Sequence, residues 1–84
     1  MRKIRYSKHA LAQMSERGAC CDEVQQAIFN GEKVPAKRGR HAFRINIQFN
    51  KQWAGKLYAT KQVMPIVAFE DDKIIVITVY TFYF

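Results

Sequence analysis

His9, Gln13 and Arg17 stand at i, i+4 and i+8, so on a helix they form one polar stripe. An imidazole titrates near neutral pH and can move a proton, and a guanidinium one turn or two away can hold a phosphate. The stripe lies away from the face made by Leu11 and Met14, so His9 is not expected in the core. The same three residues also suit a solvated helix face, with Arg17 interacting with the helix C-terminus. A second chemistry-bearing pair is Thr78 and Tyr80, which share one face of a very apolar strand. Ordinary β-propensity would also put Thr and Tyr there.

A third group is electrostatic. From Lys33 to Lys61 the chain carries Lys33, Lys37, Arg38, Arg40, Arg44, Lys51, Lys56 and Lys61, and no Asp or Glu. A solubilising surface normally mixes both signs. A one-signed segment instead raises the local concentration of a polyanion. Arg38, Arg40, His41, Arg44, Lys56 and Lys61 are therefore candidate phosphate contacts, with Trp53 and Tyr80 as candidate base-stacking groups. The aromatic ending Tyr80-Thr81-Phe82-Tyr83-Phe84 equally suits a homodimer or partner interface.

Other chemistry finds little support. Two histidines and the adjacent Cys20 and Cys21 lack zinc-ligand spacing, and no cofactor motif, phosphate loop or nucleophile elbow is present. Neighbouring cysteines rarely bridge each other. The expectation is that one is a helix-start residue and the other is buried. The absence of a disulfide framework and of an apolar leader after Met1-Arg2-Lys3 points to the cytoplasm. No apolar stretch is long enough to span a membrane as a helix.

The elements that must position these groups can be placed. At 84 residues the chain makes one domain, and its 49% apolar composition supports a real core. Ser7 is an N-cap, Lys8 to Arg17 a helix and Gly18 its stop. A second helix is expected from Asp22 to Asn30, stopped by Gly31, which makes a helical hairpin. Val24, Ala27 and Ile28 face inward.

Val34-Pro35-Ala36 is expected as a short edge strand. Ala42 to Phe49 alternates cleanly, with Phe43, Ile45, Ile47 and Phe49 on one face and Arg44, Asn46 and Gln48 on the other. Asn50 to Gly55 is expected as a loop carrying Trp53. Leu57 to Phe69 forms one strand or two, with Pro65 marking a bulge or an edge. Glu70 to Lys73 is a turn, and Ile74 to Phe84 a central strand. The expected fold is α+β: two N-terminal helices packed on a three- to four-stranded antiparallel sheet.

At this point the chain resembles a family. Ser7-Lys8-His9-Ala10, Met14-Ser15-Glu16-Arg17-Gly18, then Val24, Ala27-Ile28 and Gly31, are similar to the opening of the domain-of-unknown-function family numbered 4258. Ile75-Val76-Ile77-Thr78-Val79-Tyr80 resembles its closing strand. The resemblance implies a place in the barnase/EndoU/colicin/RelE-like superfamily of metal-independent ribonuclease toxins, two helices before a four-stranded antiparallel sheet, and active residues at His9, Arg17 and Thr78. It implies RNA as substrate and a cognate antitoxin or immunity protein as partner.

The implied reaction is attack of the RNA 2′-hydroxyl on the adjacent phosphate. It needs a general base, a general acid and cations on the phosphorane. His9 would move a proton, Arg17 and Arg44 would hold the phosphate, and Thr78 or Tyr80 would orient the phosphate or a base. His41 is the best second proton-transfer group. A non-catalytic nucleic-acid-binding module and a dimerising interaction domain are the alternatives. One tension is visible at once: if the helices cover the opposite face of the sheet, His9 and Arg44 lie on different sides.

Overall fold

The computed structural model describes residues 3–84; Met1 and Arg2, the start of the basic N-terminus, lie outside the described residues. The chain runs β1 (Lys3–Tyr6), α1 (Lys8–Arg17), α2 (Cys21–Asn30), β2 (Glu32–Val34), β3 (His41–Trp53), β4 (Lys56–Glu70) and β5 (Lys73–Tyr83). The strands form one sheet in the order β1-β5-β4-β3-β2.

The α+β class stands, with two corrections. The sheet is five-stranded and mixed, because β1 lies parallel to β5, with Lys3 opposite Lys73 and Tyr6 opposite Val76. The helices are also not N-terminal, since β1 precedes them. Four residues of Lys-Ile-Arg-Tyr alternate too briefly to announce a strand. What recruits them is the apolar first half of β5, whose outer edge would otherwise be bare.

Local signals explain the helices. Ser7 is extended at φ −67°, ψ 160°, and its Oγ accepts from the Ala10 N–H at 2.9 Å. The same hydroxyl donates to the Ile77 carbonyl at 2.9 Å, which pins the helix start to β5. Gly18 closes α1 in the left-handed region at φ 77°. A Cβ there would stand 2.8 Å from both the Trp53 ring and the Tyr83 hydroxyl, so only glycine fits. Both cysteines are exposed: Cys20 is the N-cap of α2, and Cys21 lies beside the Tyr6 hydroxyl rather than in the core.

Both helices pack on one face of the sheet. Ala10 and Met14 from α1, and Val24 and Ile28 from α2, meet Val63 and Val67 of β4 and Ile74, Val76 and Val79 of β5. Phe43, Ile45 and Ile47 of β3 close the layer, as their alternation required. Leu11, expected in the α1 stripe, is exposed.

The strands depart from regularity at four points. β2 ends at Val34, before Pro35. β3 does not stop at Phe49; an extra residue between Gln48 and Lys51 makes a bulge, with Asn50 at φ 49°, and the strand continues to Trp53. Only Ala54 and Gly55 then form the turn, both with positive φ (51° and 84°). β4 is a single central strand. Its pairing to β3 runs at Ala42–Ile66 and resumes at Ile45–Val63, so Pro65, with no N–H to give, sits in the gap. A second bulge lies in β5, where Thr78 faces Ile66 but Val76 faces Val67, leaving Ile77 unopposed.

Among the described residues Lys61 is the one charged group in the core, 5% exposed on the helix side of β4. Its Nζ donates to Glu23 Oε1 and Oε2 at 2.8 and 2.9 Å and to the Gly18 carbonyl. Glu23 Oε1 also accepts from the Cys20 N–H at 3.0 Å, completing the cap of α2. Burial alone would raise the Glu23 carboxyl. The Lys61 ammonium and the Cys20 N–H outweigh it and hold the group below its ordinary range.

A group whose pKa is depressed on folding stabilises the fold above its unfolded value, and that contribution is lost as pH falls through the folded value. Stability should therefore decline as pH drops below about 4.3. Lys61→Ala leaves the Glu23 carboxylate half-buried and unpaired, at a cost of about 3 kcal/mol at pH 7. The variant should also lose that part of the acid dependence. Urea unfolding of both proteins from pH 3 to 7 measures this; parallel pH profiles would refute the assignment.

Candidate nucleic-acid interface

The helices leave one face of the sheet uncovered, and the basic segment between β2 and β3 leans over it. Residues 35–40 are all exposed. They turn at Arg38 and Gly39, both left-handed at φ 59° and 70°, and the Arg40 N–H donates to the Lys37 carbonyl at 3.2 Å. Lys37, Arg38 and Arg40 thus stand along one side of a groove of about 300 Å³. Its floor is Ala42 of β3 with Met64 and Ile66 of β4, and its other side is Thr78 and Tyr80 of β5. Tyr80 is 40% exposed, and the Phe82 ring lies nearly parallel to it with centroids 6.4 Å apart.

Arg17 reaches this face from the opposite layer. β1 pairs with β5 only as far as Val76, so the outer edge of β5 is bare beyond it. The Arg17 guanidinium donates to the Val79 carbonyl across that edge at 2.9 Å. Its carbon then sits 5.2 Å from the centroid of the Tyr80 ring. The Arg17 carbonyl in turn accepts from the Tyr83 hydroxyl at 2.6 Å. Thr78 and Tyr80 therefore share one wall of the groove, and Arg17 touches the Tyr80 ring from outside it.

The other candidates disperse. His9 is exposed and has no hydrogen bond or ion pair among the described residues. It lies two turns before Arg17, about 12 Å along the helix axis, and does not line the groove. His41 packs its ring on Phe69, with centroids 4.5 Å apart, and lines a separate hollow beneath the basic loop with Lys33 and Arg40.

Arg44 is on the open face, as its alternation required, but bonds Glu32 Oε1 of β2 at 2.9 Å. Asn46 is likewise engaged, accepting from Gln62 at 2.9 Å. Lys56 sits at the far end of the β3–β4 hairpin, opposite Trp53. Trp53 is stacked on Tyr83 at 4.9 Å on the helix side, against Gly18. Lys61 lies in the core. Lys56, Lys61 and Trp53 are thus apart from the groove.

Met64 and Ile66 were not singled out as site residues, because neither carries chemistry. The alternation of β4 could have found them: Val63, Pro65 and Val67 face the helices, so Met64 and Ile66 face away. Among the described residues no three His, Cys, Asp or Glu side chains are placed to share a metal ion. None of the helices is long and apolar enough to cross a membrane.

A family model described as "Domain of unknown function (DUF4258)" matches residues 6–81, a span that contains both helices, Arg17, Thr78 and Tyr80. No curated protein and no solved structure matches the chain.

Arg17 and His9 should separate cleanly in stability measurements. Arg17→Ala removes a charged hydrogen bond to the Val79 carbonyl and should cost about 1.5 kcal/mol. His9→Ala touches an exposed, unpartnered side chain and should stay within about 0.5 kcal/mol of wild type. Urea midpoints decide it, and a large loss for His9→Ala would show that this side chain makes a stabilising contact.

Proposed function

The chain belongs to the DUF4258 family, and from that premise we propose that it is a small RNA-interacting protein whose helix-free sheet face takes the nucleic acid. The observation that supports this most directly is the groove itself. Lys37, Arg38 and Arg40 stand on one side of it and Tyr80 on the other. Cations beside an exposed ring suit a phosphate chain that carries π-faced bases. Of the basic segment, these three cations carry the reading; Arg44 is partly neutralised by Glu32, and Lys61 is paired in the core.

A second reading is a metal-independent, toxin-like ribonuclease, for which the placement of Arg17 is the specific support. Of the three residues implied by the family resemblance, Thr78 lines the groove and Arg17 reaches the Tyr80 ring beside it. A guanidinium there can stabilise a phosphorane, and the Thr78 hydroxyl can orient a phosphate oxygen. His9 would supply proton transfer only if the RNA passes round the β5 edge onto α1. A cognate antitoxin belongs to this second reading, and a cytoplasmic location is proposed for either.

Fluorescence anisotropy with a labelled single-stranded RNA tests the first reading. If three cations are engaged, log K should fall with log salt at a slope of about −2. Arg38→Ala with Arg40→Ala should flatten that slope by about 1.4. No binding at low salt would remove both readings. Incubating RNA with the protein in EDTA tests the second. Cleavage that His9→Ala abolishes supports it, and no cleavage of any RNA by the folded protein removes it.

A further inference from the structure

We propose that the groove is a subsite for one everted nucleobase, so that the protein selects single-stranded over duplex RNA. This rests on the RNA reading above and specifies what the groove would hold. The floor carries the argument. Ala42, Met64 and Ile66 offer a phosphate no donor, and a phosphate resting on them would lose water without compensation. The cationic donors stand only at the rim, on Lys37, Arg38 and Arg40. The occupant must therefore be flat and apolar-faced where it enters, and anionic where it leaves.

A nucleobase with its flanking phosphates has that character. At about 300 Å³ the groove is at the small end of small-molecule sites and suits one base rather than a stacked pair. The Tyr80 ring is held in place from outside the groove: Arg17 lies 5.2 Å from its centroid, and Phe82 runs nearly parallel to it. A ring fixed before binding loses little side-chain entropy when a base stacks on it. The Thr78 hydroxyl is the other polar side-chain group on that wall, available to one edge of the base. A paired base keeps its faces inside the helical stack and cannot enter.

The test compares three probes on the intact chain by anisotropy: a short labelled RNA, the same strand in a blunt duplex, and an abasic ribose-phosphate oligomer of equal length. With a base subsite the single strand should bind at least ten-fold more tightly than either other probe, about the contribution of one base–aromatic stack. Tyr80→Ala should weaken the single strand by about ten-fold and leave the abasic probe unchanged, whereas Tyr80→Phe should bind like wild type. Circular dichroism confirms that the variants fold. The abasic comparison needs no variant, so it decides even if Tyr80→Ala fails to fold. Equal affinity for all three probes would overturn the base subsite and leave RNA binding intact. No affinity for any probe would overturn the RNA reading itself.

Discussion

A lysine buried on the central strand is the constraint around which this small domain is organised. Lys61 cannot sit 5% exposed without a counter-charge and without acceptors for its protons. Glu23 supplies the charge and Gly18 supplies a carbonyl, so the tight connection between α1 and α2 has one place to rest on the sheet. That placement brings Gly18 against Trp53 and Tyr83 and sets which face of the sheet is covered. The environment it creates is polar enough to act at a distance: burial raises the Tyr83 hydroxyl, and the Glu23 charge raises it further. The open face is thus a product of the clasp on the closed one.

Much of this was legible where the signal was local. Ser7, the ten residues of α1 and the left-handed Gly18 follow from capping chemistry within a few residues. The alternation of β3 correctly divided Phe43, Ile45 and Ile47 from Arg44 and Asn46. What escaped was set by distant partners. Lys61 looks like one more cation in an acid-free run, because Glu23 is 38 residues away. Only its even spacing from Val63 hinted at the core. Trp53 looks like a loop aromatic until the bulge at Asn50 extends β3 past it. β1 is four residues long and becomes a strand only because β5 offers it an edge.

The candidate site shows the same division. Thr78 and Tyr80 could be assigned a common face, and the charge could be assigned to the middle of the chain. Their meeting could not be foreseen, because it depends on the loop of residues 35–40 folding over the sheet. The expected separation of helix and open face is real, and His9 and Arg44 do lie apart. Arg17 escapes it because β1 stops short, leaving the Val79 carbonyl for a long side chain to reach round and grasp. A short edge strand therefore does more than cover β5: where it ends, the two faces of the sheet communicate.

The unopposed Ile77 gives β5 two phases. Before it, Ile74 and Val76 point to the helices; after it, Val79 does, one residue out of step. Carried through without the bulge, the first phase would aim Thr78 and Tyr80 into the core and turn Val79 and Thr81 outward. The strand is apolar enough that either phase would bury a reasonable set of side chains, so composition does not choose between them. The choice falls to a single inserted residue, held by the Ser7 hydroxyl on its carbonyl. In evolutionary terms, the loss of this one codon would leave Ile74, Val76 and Val79 inward and Thr78 and Tyr80 outward in one unbroken alternation, so the bulge is an extra residue absorbed without exchanging the strand's surfaces. The capping serine of the first helix thereby keeps the phase of the last strand.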